Sequence, residues 1–134
     1  MLGAFTSLII MSNLVIKPSG YTQGESIPWY FQEQPVRYDI LSLEDQYVYI
    51  LDENPKGEIR WIYPNVLSGE NPMREGEIQR VVALGRGQRL NVSSQKGIGK
   101  IYVLTSNTEM NKEEAKEWIL KNKDKVRIIY YEIY

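Results

Sequence analysis

Asp52, Glu53 and Asn54 put three oxygen-bearing side chains into one short stretch, the donor type that hard cations prefer. Calcium needs more ligands at fixed spacing than this stretch supplies, so it reads as a solvated turn. Glu70, Glu75 and Glu77 form a second carboxylate group. A glycosidase works with two such groups, but their spacing marks out no acid and base, and a charged loop is expected. Gly97-Ile98-Gly99-Lys100 has the composition of a phosphate loop. The Walker pattern requires glycine where Ser94 stands and Ser or Thr where Ile101 stands, so a hairpin turn is expected instead. Gly85-Arg86-Gly87 misses the dinucleotide pattern in the same way, because Leu90 takes the third glycine's place. The chain contains no cysteine and no histidine. That excludes disulfides, thiol chemistry, imidazole triads and zinc-finger or other histidine-ligated metal sites. No nucleophile–base pair is visible. No enzyme, no cofactor and no metal site is expected.

The remaining chemistry is recognition. Trp29, Tyr30 and Phe31 are three successive aromatic residues beside Pro28 and Gln32, and they are the candidate ligand-binding residues. Exposed, they would meet a sugar ring or a partner protein; buried, they would fill the core. Trp61 and Tyr63 raise the same choice, and strand alternation assigns Trp61 to the core. Arg74, Arg80, Arg86, Arg89, Lys96 and Lys100 crowd the middle of the chain, where sheet pairing could gather some of them beside Tyr102. Lys plus Arg is 16 against 17 for Asp plus Glu, a net charge of -1. A balanced chain has no bulk attraction for nucleic acid or anionic membrane, so these residues read as a solvated face.

The elements that must position these residues are mostly strands. Hydrophobic residues make up 43% and charged residues 25%, which suits one folded domain over residues 1–134 and argues against disorder. Ten tyrosines, three tryptophans and many Ile and Val residues favour a pleated surface. The apolar runs are short and separated by Gly, Pro, Asn and Asp. Strands are predicted within 8–16 (broken near Ser12–Asn13) and over 37–43, 47–51, 59–63, 78–84, 89–93, 100–105 and 126–134, with 29–31 a short aromatic run ahead of Pro35. Tyr47–Leu51 and Ile59–Tyr63, joined through Asn54-Pro55-Lys56-Gly57, make a β-hairpin. In it Ile59, Trp61 and Tyr63 should face the core, and Glu58, Arg60 and Ile62 mostly solvent. Residues 66–77 read as a loop, and 95–99 as a turn. Asn111 caps a helix over about 112–122, with Glu114 completing a capping box and Trp118 docking on the sheet. The predicted fold is mainly β: an antiparallel, immunoglobulin-like sandwich of seven or eight strands with one short C-terminal helix. Val126–Tyr134 reads as covered on both faces for part of its length; at a sheet edge it would pair with a second copy.

Residues 1–12 carry a short apolar run with no basic residue before it. It is too short for a membrane span and reads as a first strand, the other reading being the remnant of a signal peptide.

The strand Tyr47-Val48-Tyr49-Ile50, the turn at Gly57, Ile59–Tyr63 and the following Pro64-Asn65 resemble the domain of unknown function 4384 family. Its "aGE" element is matched by Met73-Arg74-Glu75-Gly76-Glu77, its later turn by Lys96–Ile101 and its next strand by Tyr102–Thr105. Tyr21-Thr22-Gln23-Gly24-Glu25 is similar to an upstream element, so that the resemblance covers residues 14–106. Tyr63 stands where Phe is usual, and Gly99-Lys100 lacks the usual acidic residue. The resemblance implies a bacterial β-sandwich module, exported or attached to cell-envelope proteins, with no catalytic residue to carry over. The expected function is therefore a non-catalytic interaction or structural module, with a protein partner or a second copy. The alternative is a glycan- or peptide-binding module using Trp29, Tyr30 and Phe31. Nucleic acid and a membrane span are not expected. The cytoplasm is the alternative compartment.

Overall fold

The computed structural model describes residues 5–6, 9–10, 13–22, 27–67 and 71–134. The strands are β1 (Phe5–Thr6), β2 (Ile9–Ile10), β3 (Leu14–Pro18), β4 (Tyr21–Thr22), β5 (Trp29–Tyr30), β6 (Tyr38–Ser42), β7 (Tyr47–Glu53), β8 (Ile59–Tyr63), β9 (Ile78–Val81), β10 (Ala83–Gly85), β11 (Gln88–Arg89), β12 (Gly97–Ser106) and β13 (Arg127–Ile133). Helix α1 spans Lys112–Lys121, and a 3-10 turn follows at Lys123–Lys125. The protein is mainly β. A seven-stranded sheet has the order β1-β4-β5-β13-β12-β7-β8, a four-stranded sheet β2-β3-β6-β9, and β10-β11 stand apart as a hairpin. The strands are more numerous than seven or eight because several runs are cut. Ile78–Leu84 breaks at Val82 into β9 and β10, and beyond β11 only an isolated bridge, Pro35 to Asn91, continues the run 89–93. Leu8, Met11 and Ser12 of the predicted first strand, most of residues 1–12, Gln23–Glu25 and Glu70 lie outside the described residues.

The β7–β8 hairpin forms where the turn chemistry placed it. Asn54 accepts from the Lys56 and Glu58 amides through its side chain, and Gly57 adopts the positive φ of 92° that the turn requires. The facing of β8 differs from the alternation. Ile50 pairs with Tyr63 but Leu51 pairs with Trp61, so Ile62 is the extra residue of a bulge. Ile62 and Tyr63 therefore both enter the main core, while Ile59 and Trp61 turn to the opposite face. Two further expectations change. Gly97–Gly99 belong to β12, paired with Tyr131–Ile133, and are not a turn. β13 lies between β12 and β5, not at an edge, and its pairing with β5 is parallel.

The two sheets share one core. Leu14, Ile16 and Ile40 of the smaller sheet pack with Val48, Ile50, Ile101, Val103 and Ile129 of the larger. Each such side chain, fully buried, contributes about 1.5–3 kcal/mol. The loop that follows β8 is tied in as well: Met73 is buried and exchanges both backbone bonds with Gln46, and the Asn71 side chain bonds both backbone groups of Val48.

Helix α1 covers part of the outer face of the larger sheet. Asn111 Oδ1 accepts from the Glu114 amide at 2.8 Å, and the Glu114 carboxylate closes the box on the Asn111 side-chain amide rather than on its backbone. Ala115 and Ile119 make the buried contact with Tyr49, Leu51 and Tyr102. Trp118 is partly exposed instead of docking, beside an open groove with Met110 and Glu114. Asn111→Ala is expected to lower stability by about 1 kcal/mol in urea denaturation, because the first-turn amide loses its acceptor.

Candidate binding surface

Side chains of the larger sheet alternate between the core and the outer face. In β13, Ile129, Tyr131 and Ile133 point inward and Ile128, Tyr130 and Glu132 outward. The register carries the outward set across the sheet. Ile128 lies beside Tyr102 and Leu51, Tyr130 beside Lys100 and Glu53, and Trp29 beside Glu132 and Ile98. α1 covers only the first of these rows. At the second row the cover ends on Lys123, whose ammonium lies 3.5 Å from Glu53 and over the Tyr102 ring. Tyr102 donates its hydroxyl hydrogen to Glu53 at 2.9 Å. Burial, and then the hydrogen bond to that carboxylate, push the Tyr102 phenol up to about 12.

Beyond Lys123 the outer face is open and aromatic. Phe31 is 59% exposed and Tyr134 55% exposed, and Tyr130 and Ile98 are also exposed. Phe31 and Tyr134 both pack edge-to-face with Trp29, at centroid distances of 5.3 and 5.6 Å and interplanar angles of 89° and 87°. The Glu132 charge, then burial, hold the Tyr134 phenol above its ordinary value. The sequence candidates thus separate. Trp29 and Phe31 lie on this surface. Tyr30 does not: it is buried, points into the core, and its ring lies against Gly20 and Tyr131. Tyr134 and Tyr130 were not singled out, although the register of a strand through 126–134 sets them on one face with Glu132.

The carboxylates are committed elsewhere. Asp52 points inward from β7, accepts from Tyr131 at 2.6 Å and pairs with Arg60 at 2.9 Å. Arg60 also donates to the Asn91 carbonyl. Burial raises the Asp52 carboxyl above the ordinary range, against the lowering effect of Tyr131 and Arg60. Burial raises Tyr131, Tyr30 and Tyr38 as well. A recess of about 80 Å³ beside Asp52, Glu58 and Arg60 has room for little beyond water. Among the described residues no three carboxylates converge as a metal site would require. Three of the basic residues lie apart: Arg80 pairs with Asp39 on β6, Arg74 with Asp45, and Lys100 sits on β12. Among the described residues, no helix is long and apolar enough to cross a membrane.

No curated protein and no solved structure matches the chain. The model of the family described as a domain of unknown function (DUF4384) matches residues 29–109, from the aromatic strand β5 to the end of β12 and just beyond. That is more than half of the chain, and the protein belongs to this family.

Proposed function

We propose that the chain is a non-catalytic interaction module that engages a protein, a partner or a second copy, through the open half of the larger sheet. The observation that supports this is the cluster of Phe31, Trp29 and Tyr134, with more than half of Phe31 and Tyr134 in solvent. Large aromatic side chains held rigidly at a surface are the usual anchors of protein interfaces. Their ring planes bear on the alternative reading. A sugar platform needs a broad flat aromatic face, and here each neighbour of Trp29 stands perpendicular to it. The packing of two sheets on one core suits an immunoglobulin-like sandwich, and the resemblance suggests the bacterial cell envelope as the setting.

The test is sedimentation and native mass of the protein, alone and with envelope extract, beside a Phe31→Ser/Tyr134→Ser variant. The wild type is expected to form a homo-oligomer or retain an envelope protein. Each truncated anchor should weaken the complex by about 2 kcal/mol, with no change in the urea midpoint. A wild type that stays monomeric and retains nothing, or a variant that retains as much, would overturn the proposal and make a glycan array the next experiment.

A further inference from the structure

A second exposed apolar feature lies in the loop after β8. Val66 is 84% exposed and Leu67 56%. These side chains are held out by a built turn. Asn65 Nδ2 donates to the Ile62 carbonyl at 2.9 Å and the Ala83 carbonyl at 3.2 Å, and its Oδ1 accepts from the Leu67 amide at 2.8 Å. Val66 lies against Gly85, next to Arg86 in the β10–β11 turn. Arg89 pairs with Ala83, and Lys112 borders a groove shared with Val66. Among the described residues Arg86, Arg89 and Lys112 form no salt bridge, and the Lys112 ammonium lies over the Trp61 ring, 5.1 Å from its centroid. A chain of net charge -1 thus has one corner where an exposed apolar tip stands beside a turn that carries Arg86 and Arg89.

We propose that this tip docks on an anionic lipid surface. Val66 and Leu67 enter the boundary between headgroups and acyl chains, while Arg86, Arg89 and Lys112 lie against the phosphates. A protein groove would take the Val-Leu pair equally well, but the neighbouring Arg86 and Arg89, neither of them in a salt bridge among the described residues, favour an anionic sheet of headgroups. Two apolar side chains alone hold a membrane weakly, so attachment needs both parts.

The test is flotation with vesicles of equal parts phosphatidylcholine and phosphatidylglycerol, against vesicles of phosphatidylcholine alone. Wild type is expected to float with the anionic vesicles only. Val66→Asp/Leu67→Asp and, separately, Arg86→Glu/Arg89→Glu should each weaken binding by at least about tenfold. All four side chains are exposed, so circular dichroism should be unchanged. Because the chain has no cysteine, Leu67→Cys gives a single site for an environment-sensitive fluorophore, whose emission should shift to the blue on the anionic vesicles. Failure to float, equal binding to both vesicles, or binding that Val66→Asp/Leu67→Asp leaves intact would overturn the proposal. So would a tip that captures a protein and no vesicle.

Discussion

Gly99→Ala is expected to lower the unfolding free energy by about 3 kcal/mol, a large loss for one added methyl group. A Cβ on Gly99 would lie 2.1 Å from Cζ and 2.3 Å from the hydroxyl oxygen of Tyr131. The ring has nowhere simple to go. It is buried in the main core, packs edge-on against Tyr30, and its hydroxyl is fixed on Asp52. Relieving the clash therefore either shifts β13 away from β12 or pulls the hydroxyl off Asp52, leaving a buried acceptor short of a partner. Urea denaturation measures the loss. A decrease below about 1 kcal/mol would mean that Tyr131 moves freely and that the ring is not fixed as described.

Asp52→Ala strikes the same cluster from the other side. Asp52 is almost fully buried, and its removal takes away together the acceptor of the Arg60 Nε–H and that of the Tyr131 hydroxyl, leaving Arg60 the Asn91 carbonyl. Breaking a buried pair on one side costs about 3–5 kcal/mol, and the partial exposure of Arg60 favours the lower figure. Asp52→Asn separates shape from charge. The Asp52 carboxyl titrates above its ordinary value in the folded protein because burial outweighs Tyr131 and Arg60. An acid with a raised folded pKa binds its proton more tightly when folded. Its contribution is fully present below the unfolded value of 3.8 and is lost as pH rises through the folded one. The stability advantage of wild type over Asp52→Asn should thus be widest below about pH 4 and narrow toward neutrality. An advantage that grows with pH would show that the ion pair, not burial, dominates Asp52.

What the sequence discloses follows the range of the interaction responsible. The β7–β8 hairpin and α1 were legible because their signals are local: Asn54 and Gly57 in one turn, Asn111 and Glu114 in one cap. The facing of β8 was not, since the bulge at Ile62 depends on pairing with β7 and has no mark in the strand itself. Trp118 followed the helical face correctly but not the position of the helix over the sheet, which puts Ala115 and Ile119 in contact instead. Of the candidate binding residues, Tyr30 went inward because β5 is two residues long and offers no periodicity from which to choose a face. Gly20 and Gly99, which make room for the rings of Tyr30 and Tyr131, lie far from them in sequence. The aromatic surface exists only once β5 and β13 are neighbours, which no local pattern foretells.

That adjacency also governs how fast the molecule can fold. Trp29 pairs with Glu132 roughly a hundred residues further on, so the middle of the larger sheet closes only after a very long loop of chain has been brought together. Local elements such as the β7–β8 hairpin can form early, but β12 holds an open flank until β13 arrives and β5 docks on its far side. The protein is therefore expected to fold slowly, as β proteins of high contact order do. A fragment cut to residues 29–109 would lack β13 and keep the seven-residue flank of β12 from Gly97 to Val103 unpaired, the kind of edge on which chains aggregate.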